Sequence, residues 1–196
     1  MMDEDGRAAL VLVDVINGFA FEGSAGLLAQ AEAAAPHIVE LTRRARADGV
    51  PVIYVNDNFG MWQSDFRSVA ESCLKDDQPG RHVVERFLPE PSDYFVLKPR
   101  HSGFLATPLE QLLDHLKVST IVLTGFATDL CVLFTALDAH ARGFALVVPS
   151  DCTGANDASS RQRAIDLLTH SLGVPTYEGE QVRWNELAGK RRKSLF

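Results

Sequence analysis

The sequence has no apolar run long enough to cross a bilayer, and its first residues lack the apolar segment of a secretory signal. Its formal net charge of -7 argues against nucleic acid or an anionic membrane as a partner. The one basic cluster, residues 190–193, is predicted to be a solvated tail. These absences predict a cytoplasmic protein whose partner is a small molecule.

Cysteine is also scarce. The three cysteines, Cys73, Cys131 and Cys152, are an odd number, and 46% hydrophobic residues suffice to build a core without disulfides. We therefore expect free thiols in a reducing compartment. A length of 196 residues, without repeats or a linker rich in proline, glycine or serine, predicts one domain over residues 1–196.

Common cofactor motifs are missing as well. The chain contains neither the glycine-rich phosphate-binding pattern GxxxxGK[ST] nor the dinucleotide-binding pattern GxGxxG. No histidine or cysteine pair has the spacing of zinc ligands, although His82 and His101 lie in loops from which they could approach a site. The sequence therefore predicts neither a cofactor nor a metal.

Short apolar runs alternate with helical segments along the chain. Strands are predicted over residues 8–14, 51–56, 94–98, 119–125, 144–149 and 175–177. Helices are predicted over residues 30–47, 69–74, 108–116, 128–142 and 159–171. This alternation predicts an α/β fold, a three-layer α/β/α sandwich with a mainly parallel, Rossmann-like six-stranded sheet. The long irregular stretch over residues 57–91 is expected to be functional.

Reactive side chains stand at the ends of the predicted strands. Asp14 ends the first strand, Asn56 and Asp57 the second, and Lys98 the third, while Cys131 begins the helix after the fourth. Ligands of open parallel sheets bind beyond the carboxyl ends of the strands. We therefore expect these residues, which are far apart in sequence, to share one rim.

The chemistry of three rim residues is complementary. If Thr128 caps the helix, Cys131 lies in its first turn, where the helix dipole and Lys98 favour the reactive thiolate. Asp14 ends an apolar run, and a desolvated carboxylate suits a base that takes the thiol proton. Taken singly, each also has an ordinary interpretation: a buried apolar cysteine, a loop-capping aspartate and a solvent-facing lysine.

Three motifs in chain order carry a resemblance. They are D-x-x-x-x-F over residues 14–19, K-x-R-x-S-x-F over residues 98–104, and G-x-x-T-D-x-C-V over residues 125–132. In these motifs the chain resembles the isochorismatase-like cysteine hydrolases, a superfamily that includes nicotinamidases and N-carbamoyl amide hydrolases. The resemblance covers almost the whole chain, and the third motif is the most specific.

The resemblance implies a catalytic triad of Asp14, Lys98 and Cys131. It also implies a cis peptide bond between Phe126 and Ala127, with the backbone amides of Ala127 and Cys131 facing the oxyanion. The implied strand order, 3-2-1-4-5-6, puts the strand of Lys98 two places from that of Asp14, roughly 10 Å away at the usual strand spacing. A homo-oligomer, a dimer or tetramer, is expected from related enzymes and from the apolar residues of the helix over 134–141.

Two departures from the family patterns narrow the expected activity. Nicotinamidases carry a D-x-H metal-site core, and the matching stretch here ends in Phe59, which has no lone pair for a metal. Members that cleave isochorismate characteristically lack the nucleophilic cysteine, whereas Cys131 is present. The first departure argues against a metal and against nicotinamide, and the second against vinyl-ether cleavage.

These observations predict a cysteine-dependent hydrolase that cleaves a C–N bond of a small amide or carbamoyl compound through a thioester. The alternatives are a non-catalytic binding protein of the same fold and a vinyl-ether hydrolase. The expected substrate-binding residues are Phe19, Asn56, Asn58, Phe59 and Trp62. Asn58 has a second interpretation, the stabilisation of its loop by an Asx turn.

Overall fold

The computed structural model describes residues 6–189, through which a six-stranded parallel sheet runs. Its strands are β1 (Arg7–Val13), β2 (Val52–Asp57), β3 (Tyr94–Lys98), β4 (Val118–Phe126), β5 (Ala145–Val147) and β6 (Thr153–Gly154). The helices are α1 (Ala25–Ala47), α2 (Phe66–Cys73), α3 (Arg81–Val84), α4 (Leu109–His115), α5 (Leu133–Ala141), α6 (Ala158–Asp166) and α7 (Trp184–Leu187). The basic cluster over residues 190–193 lies outside the described residues.

The strands follow the order β3-β2-β1-β4-β5, and the predicted α/β sandwich with its parallel sheet is confirmed. Residues of β1 alternate between the two faces because successive side chains of a strand point to opposite sides. Leu10 and Leu12 belong to the core built with α1, α2 and α3. Val11 and Val13 belong to the core built with α4 and α5. Since both faces are covered by helices, β1 reads as an unbroken apolar run.

The sixth strand differs from the prediction. Residues 175–177 lie beside the end of β5, where Val148 and Ser150 donate backbone hydrogen bonds to Pro175 and Thr176. They form no regular strand, and Pro175 has no N–H to continue a ladder. The sixth strand of the sheet is instead β6, whose two residues pair with the end of β4. A strand this short leaves no periodic pattern in the sequence.

Two helix starts also differ from the prediction. α1 begins at Ala25, five residues before the predicted residue 30. The helix predicted over residues 128–142 opens with a π-helical turn, Thr128–Val132, which is followed by α5. The prediction that Thr128 is the N-cap is wrong. Ala127 occupies that position, and the Thr128 hydroxyl is hydrogen-bonded to the Thr153 hydroxyl.

The long stretch after β2 is more regular than the sequence indicates. It contains α2, which starts at an Asp65 side-chain cap, then α3 and a 3-10 turn, Glu85–Phe87. These segments pack into the same core as α1 through Phe66, Val84 and Phe87. Within residues 6–189 no helix combines the length and the hydropathy that a bilayer span requires.

Large apolar side chains are exposed along one stretch that begins in the π-helical turn. They are Leu130, Phe134 and Leu137, with Leu105 exposed in the loop after β3. His101 lies against Phe134, with ring centroids 5.5 Å apart. Contiguous exposed apolar side chains are typical of surfaces that contact another protein.

We therefore expect a dimer or tetramer, and we expect Phe134→Glu to shift it toward the monomer because a buried charge destabilises an apolar interface. Light scattering at micromolar concentration measures the mass. Leu167→Glu, at a leucine as exposed as Leu137 but on another helix, is the matched control and should keep the wild-type mass. A monomeric wild-type protein would contradict the prediction.

Candidate active site

The side chains of Asp14, Lys98 and Cys131 meet at the carboxyl edge of the sheet. Asp14 directly follows β1 and has a left-handed backbone conformation, with φ of 49°, which aspartate tolerates better than most residues. Its amide donates a hydrogen bond to the Val55 carbonyl of β2. Lys98 is the last residue of β3, and Cys131 lies in the π-helical turn after β4.

Lys98 crosses the intervening strand β2 to reach Asp14. Its backbone pairs with that of Asp57, and its side chain extends over the end of β2 without exposure to solvent. The Nζ atom lies 2.8 Å from Asp14 Oδ2 and donates to Cys131 Sγ at 3.5 Å. The length of the lysine side chain therefore closes the two-strand gap that the strand order creates.

Asp57 is a fourth member of this cluster, which the sequence placed at the same rim without assigning it a role in the triad. Its Oδ2 atom lies 3.4 Å from Lys98 Nζ, and its backbone amide donates to Asp14 Oδ1 at 2.6 Å. Its Oδ1 atom accepts a hydrogen bond from the amide of Phe59. The sequence signal for its role was a carboxylate at the end of β2, the strand between the strands that carry Asp14 and Lys98.

The burial of this cluster sets its charge states. Burial raises the pKa of Asp14 above its ordinary value of 3.8, and the nearby Lys98 only partly opposes this. Burial alone would lower the pKa of Lys98, but Asp14, Cys131 and Asp57 raise it, so the ammonium keeps its charge. A buried carboxylate with a raised pKa is suited to exchange protons near neutral pH.

The thiol of Cys131 does not behave as the sequence predicts. Burial and the Asp14 carboxylate raise the pKa of Cys131 to about 12, although Lys98 acts in the opposite direction. The expected preference for the thiolate is therefore not found at rest, because desolvation disfavours the charged form more than one lysine favours it. At rest the sulfur keeps its proton beside Asp14, and ionisation requires a base.

The turn that carries Cys131 depends on a glycine. Gly125 has φ of 104°, and a Cβ atom there would lie 2.0 Å from the carbonyl oxygen of Val13. No other residue fits where the ends of β4 and β1 approach so closely. The peptide bond between Phe126 and Ala127, which follow Gly125, is cis. The role of the amides of Ala127 and Cys131 as an oxyanion site stays a prediction.

The predicted substrate residues divide into two groups. Phe19 is buried and packs edge-on against Phe126, whereas Phe59 and Trp62 are exposed, Trp62 by 77%. The Phe19 and Phe59 rings line a cavity of about 230 Å³ together with Phe21 and Met61. Its remaining lining residues are uncharged: Asn17, Gly18, Ala20, Ser72, Cys73 and Gln78.

The two asparagines are engaged with the backbone. Asn56 is fully buried, its Oδ1 accepts from the Ile16 amide, and its Nδ2 donates to the carbonyls of Ile16 and Asp57. We therefore correct its expected role: Asn56 fastens the segment after β1 to the end of β2 and has no amide proton left for a substrate. Asn58 accepts from the Gly60 amide in an Asx turn, its second interpretation.

Candidate metal ligands have other partners in the described part of the chain. Within residues 6–189 no three side chains among histidine, cysteine, aspartate and glutamate are grouped as a metal site would need. His82 contacts Glu32 on the surface, and His101 lies against Phe134. Asp57 itself contacts Lys98, which occupies the position where a cation would compensate its charge.

The chain is similar in sequence to known proteins. The family model described as "Isochorismatase domain" matches residues 8–178. The chain is 36% identical over 174 residues to the uncharacterized isochorismatase family protein YaaI of Bacillus subtilis, covering 89% of this chain and 95% of that protein. It is 27% identical over 160 residues to N-carbamoylsarcosine amidase from Arthrobacter, covering 76% of this chain and 60% of that protein.

Solved structures are similar as well. The crystal structure of N-carbamoylsarcosine amidase from Thermoplasma acidophilum superimposes with a TM-score of 0.70. It is 28% identical, and the match covers 90% of this chain and 99% of that chain.

Neutralising Asp14 and neutralising Lys98 should shift the pKa of Cys131 in opposite directions. Asp14→Asn should lower the pKa of Cys131, because the carboxylate raises it, whereas Lys98→Met should raise it further. Alkylation by iodoacetamide, followed by mass spectrometry over a pH series, measures both shifts, with the Cys73 peptide as the internal reference. Shifts of the same sign in both variants would contradict the charge arrangement described above.

Proposed function

Because this chain belongs to the isochorismatase family, we propose that it is a cysteine hydrolase that cleaves a C–N bond of a small amide or carbamoyl compound. The relatives named as N-carbamoylsarcosine amidase support a hydrolase that acts on non-peptide C–N bonds. The observation that carries the cysteine mechanism is the meeting of Asp14, Lys98 and Cys131 at one buried point.

In the first step, Asp14 removes the proton from Cys131 while the sulfur attacks the substrate carbonyl carbon. This proton transfer needs a base, because burial and Asp14 raise the pKa of the thiol to about 12. The carbonyl oxygen becomes an oxyanion that the amides of Ala127 and Cys131 would stabilise. Lys98 offsets the negative charge that is shared between Asp14 and the sulfur.

In the second step, protonated Asp14 gives its proton to the leaving nitrogen as the C–N bond breaks. Ammonia or an amine departs, and the acyl group remains on Cys131 as a thioester. Asp14, again ionised, then removes a proton from water, whose oxygen attacks the thioester carbon. The C–S bond breaks, the acid leaves, and the Cys131 sulfur takes the proton back from Asp14. The raised pKa of Asp14 suits it to act as base and acid in turn.

A cavity lined by two of the predicted substrate residues, Phe19 and Phe59, favours an uncharged substituent. Phe19, Phe59, Phe21 and Met61 supply apolar surface, and none of the residues that line the cavity is charged. A volume of about 230 Å³ suits a group of a few heavy atoms. Phe19 and Phe59 remain our proposed substrate contacts, with Trp62 at the exposed edge of the same loop.

A screen of small amides, ureas and carbamoyl compounds for ammonia release should identify a substrate. Cys131→Ala should lose turnover by at least about a hundredfold, because no nucleophile remains. Cys152→Ala, at a buried cysteine that does not line the cavity, is the matched control and should keep the wild-type chemistry. Mass spectrometry of the stopped reaction should find the acyl group on the Cys131 peptide, and its absence would argue against a thioester.

Turnover should not depend on a metal, because Lys98 supplies the positive charge at the site. Activity on the identified substrate should therefore survive dialysis against a strong chelator. Activity that is lost to the chelator and restored by zinc, iron or manganese would contradict this proposal, and would return nicotinamide-like compounds to consideration.

The decrease of kcat/KM at low pH should reflect the protonation of Asp14; this part of the pH profile is its acid limb. Only the ionised carboxylate accepts the thiol proton, so kcat/KM should fall as the pH drops through the raised pKa of Asp14, above 3.8. Lys98 lowers that pKa, so the residual activity of Lys98→Met should show an acid limb at higher pH, whereas Lys98→Arg should move it less. If the acid limb stays at the same pH in Lys98→Met, it does not reflect the ionisation of Asp14.

A further inference from the structure

A threonine outside the three motifs contacts both ends of the turn that leads to Cys131. Thr153, in β6, donates its hydroxyl proton to the Gly125 carbonyl oxygen at 2.7 Å. Its oxygen also lies 2.9 Å from the Thr128 hydroxyl oxygen. Gly125 is the last residue but one of β4, and Thr128 is the first residue of the π-helical turn, so the two lie on either side of Phe126 and Ala127.

The direction of these bonds follows from the number of protons. A threonine hydroxyl has one proton to donate and two lone pairs to accept with. Since Thr153 gives its proton to Gly125, Thr128 must donate to Thr153. One side chain therefore joins both ends of residues 125–128 through a chain of two hydrogen bonds. Both threonines are buried, so solvent does not compete for these bonds.

Thr153 is itself held firmly from behind. The two residues of β6 pair with the end of β4, Thr153 opposite Gly125 and Gly154 opposite Phe126. A Cβ atom at Gly154 would lie 2.7 Å from the Cβ of Gln30, so β6 packs closely on α1. Arg161 Nε donates to the Thr153 carbonyl oxygen at 3.2 Å. The long helix and the sheet thus fix the position of the hydroxyl.

The position of this turn determines where the sulfur lies. Cys131 Sγ is 3.5 Å from Lys98 Nζ, and Lys98 is held by Asp14 and Asp57 on other strands. Asp14 and Lys98 are thus held at the ends of β1 and β3, whereas Cys131 is carried by the turn after β4, on the other side of β1. A misplacement of about 1 Å at a reacting group can cost a hundredfold in rate.

We propose that Thr153 is a positioning residue. It holds the π-helical turn that carries Cys131 against Asp14 and Lys98. Its effect on turnover rests on the proposed function. Its effect on the ionisation and alkylation of Cys131 follows from the contacts alone and does not depend on any substrate.

The test compares Thr153→Val, which keeps the shape and removes the hydroxyl, with Thr153→Ser, which keeps the hydroxyl. Valine should lower kcat by about ten- to a hundredfold with KM changed less than about threefold, because the loss affects the reacting atoms more than binding. Serine should stay within about threefold of the wild type. In Thr153→Val the pH dependence of Cys131 alkylation should also shift relative to the Cys73 peptide.

Thr42→Val is the matched control. Thr42 is a buried threonine of α1 whose hydroxyl also donates to a backbone carbonyl, that of Ile38, at 2.7 Å. Its loss should affect the melting temperature but neither kcat nor Cys131 alkylation. If Thr153→Val fails to fold, Thr128→Val serves in its place, since it removes one of the two bonds and leaves Thr153 bonded to Gly125.

The outcomes separate the two proposals. A folded Thr153→Val protein with wild-type kcat and wild-type Cys131 alkylation would overturn the positioning role. An equal loss in Thr42→Val, or no rescue by serine, would also overturn it. If the wild-type protein cleaves no compound, the proposed function fails, and the alkylation profiles of the valine and serine variants alone decide the role of Thr153.

Discussion

The buried ammonium group of Lys98 is the charge around which the candidate site is arranged. A lysine without exposure to solvent is tolerated only where opposite charges compensate it, and here Asp14 and Asp57 do so at 2.8 and 3.4 Å. Removing one partner of a buried pair typically costs about 3–5 kcal/mol. The ends of β1, β2 and β3 therefore hold one another through this lysine, and the positions of the two carboxylates follow from it.

The same charges leave Cys131 as a protonated thiol. Lys98 favours the thiolate, but burial and Asp14 oppose it and raise the pKa to about 12. A raised pKa leaves less of the thiolate, which is the reactive form of the sulfur. Reactivity would then arise only when Asp14 takes the proton during attack on a bound substrate. The close contact of Gly125 with Val13 and the two hydrogen bonds of Thr153 restrain the backbone that leads to this sulfur.

Much of the fold could be predicted because it rests on local patterns. Apolar runs such as the one before Asp14 indicate strands that are covered on both faces, and their alternation with helices implies a parallel sheet. The prediction failed where the pattern is too short or competes with other contacts. β6 has only two residues, and Thr128 bonds to Thr153 instead of capping a helix. Asn56 was misread because a polar residue at a strand end serves equally to bind a substrate or to fasten a loop.

The sequence by itself determined the family, the alternation of strands and helices and the three residues that the motifs mark, because each depends on the identity and spacing of neighbouring residues. Only the tertiary structure decided how these residues interact. The structure shows that Lys98 reaches across β2, that Asp57 takes part in the cluster, that the pKa of Cys131 is raised and that Thr153 contacts Gly125. Each of these depends on contacts between segments more than 20 residues apart. Distances, burial and electrostatic fields between such segments arise only when the chain packs, and no local pattern records them.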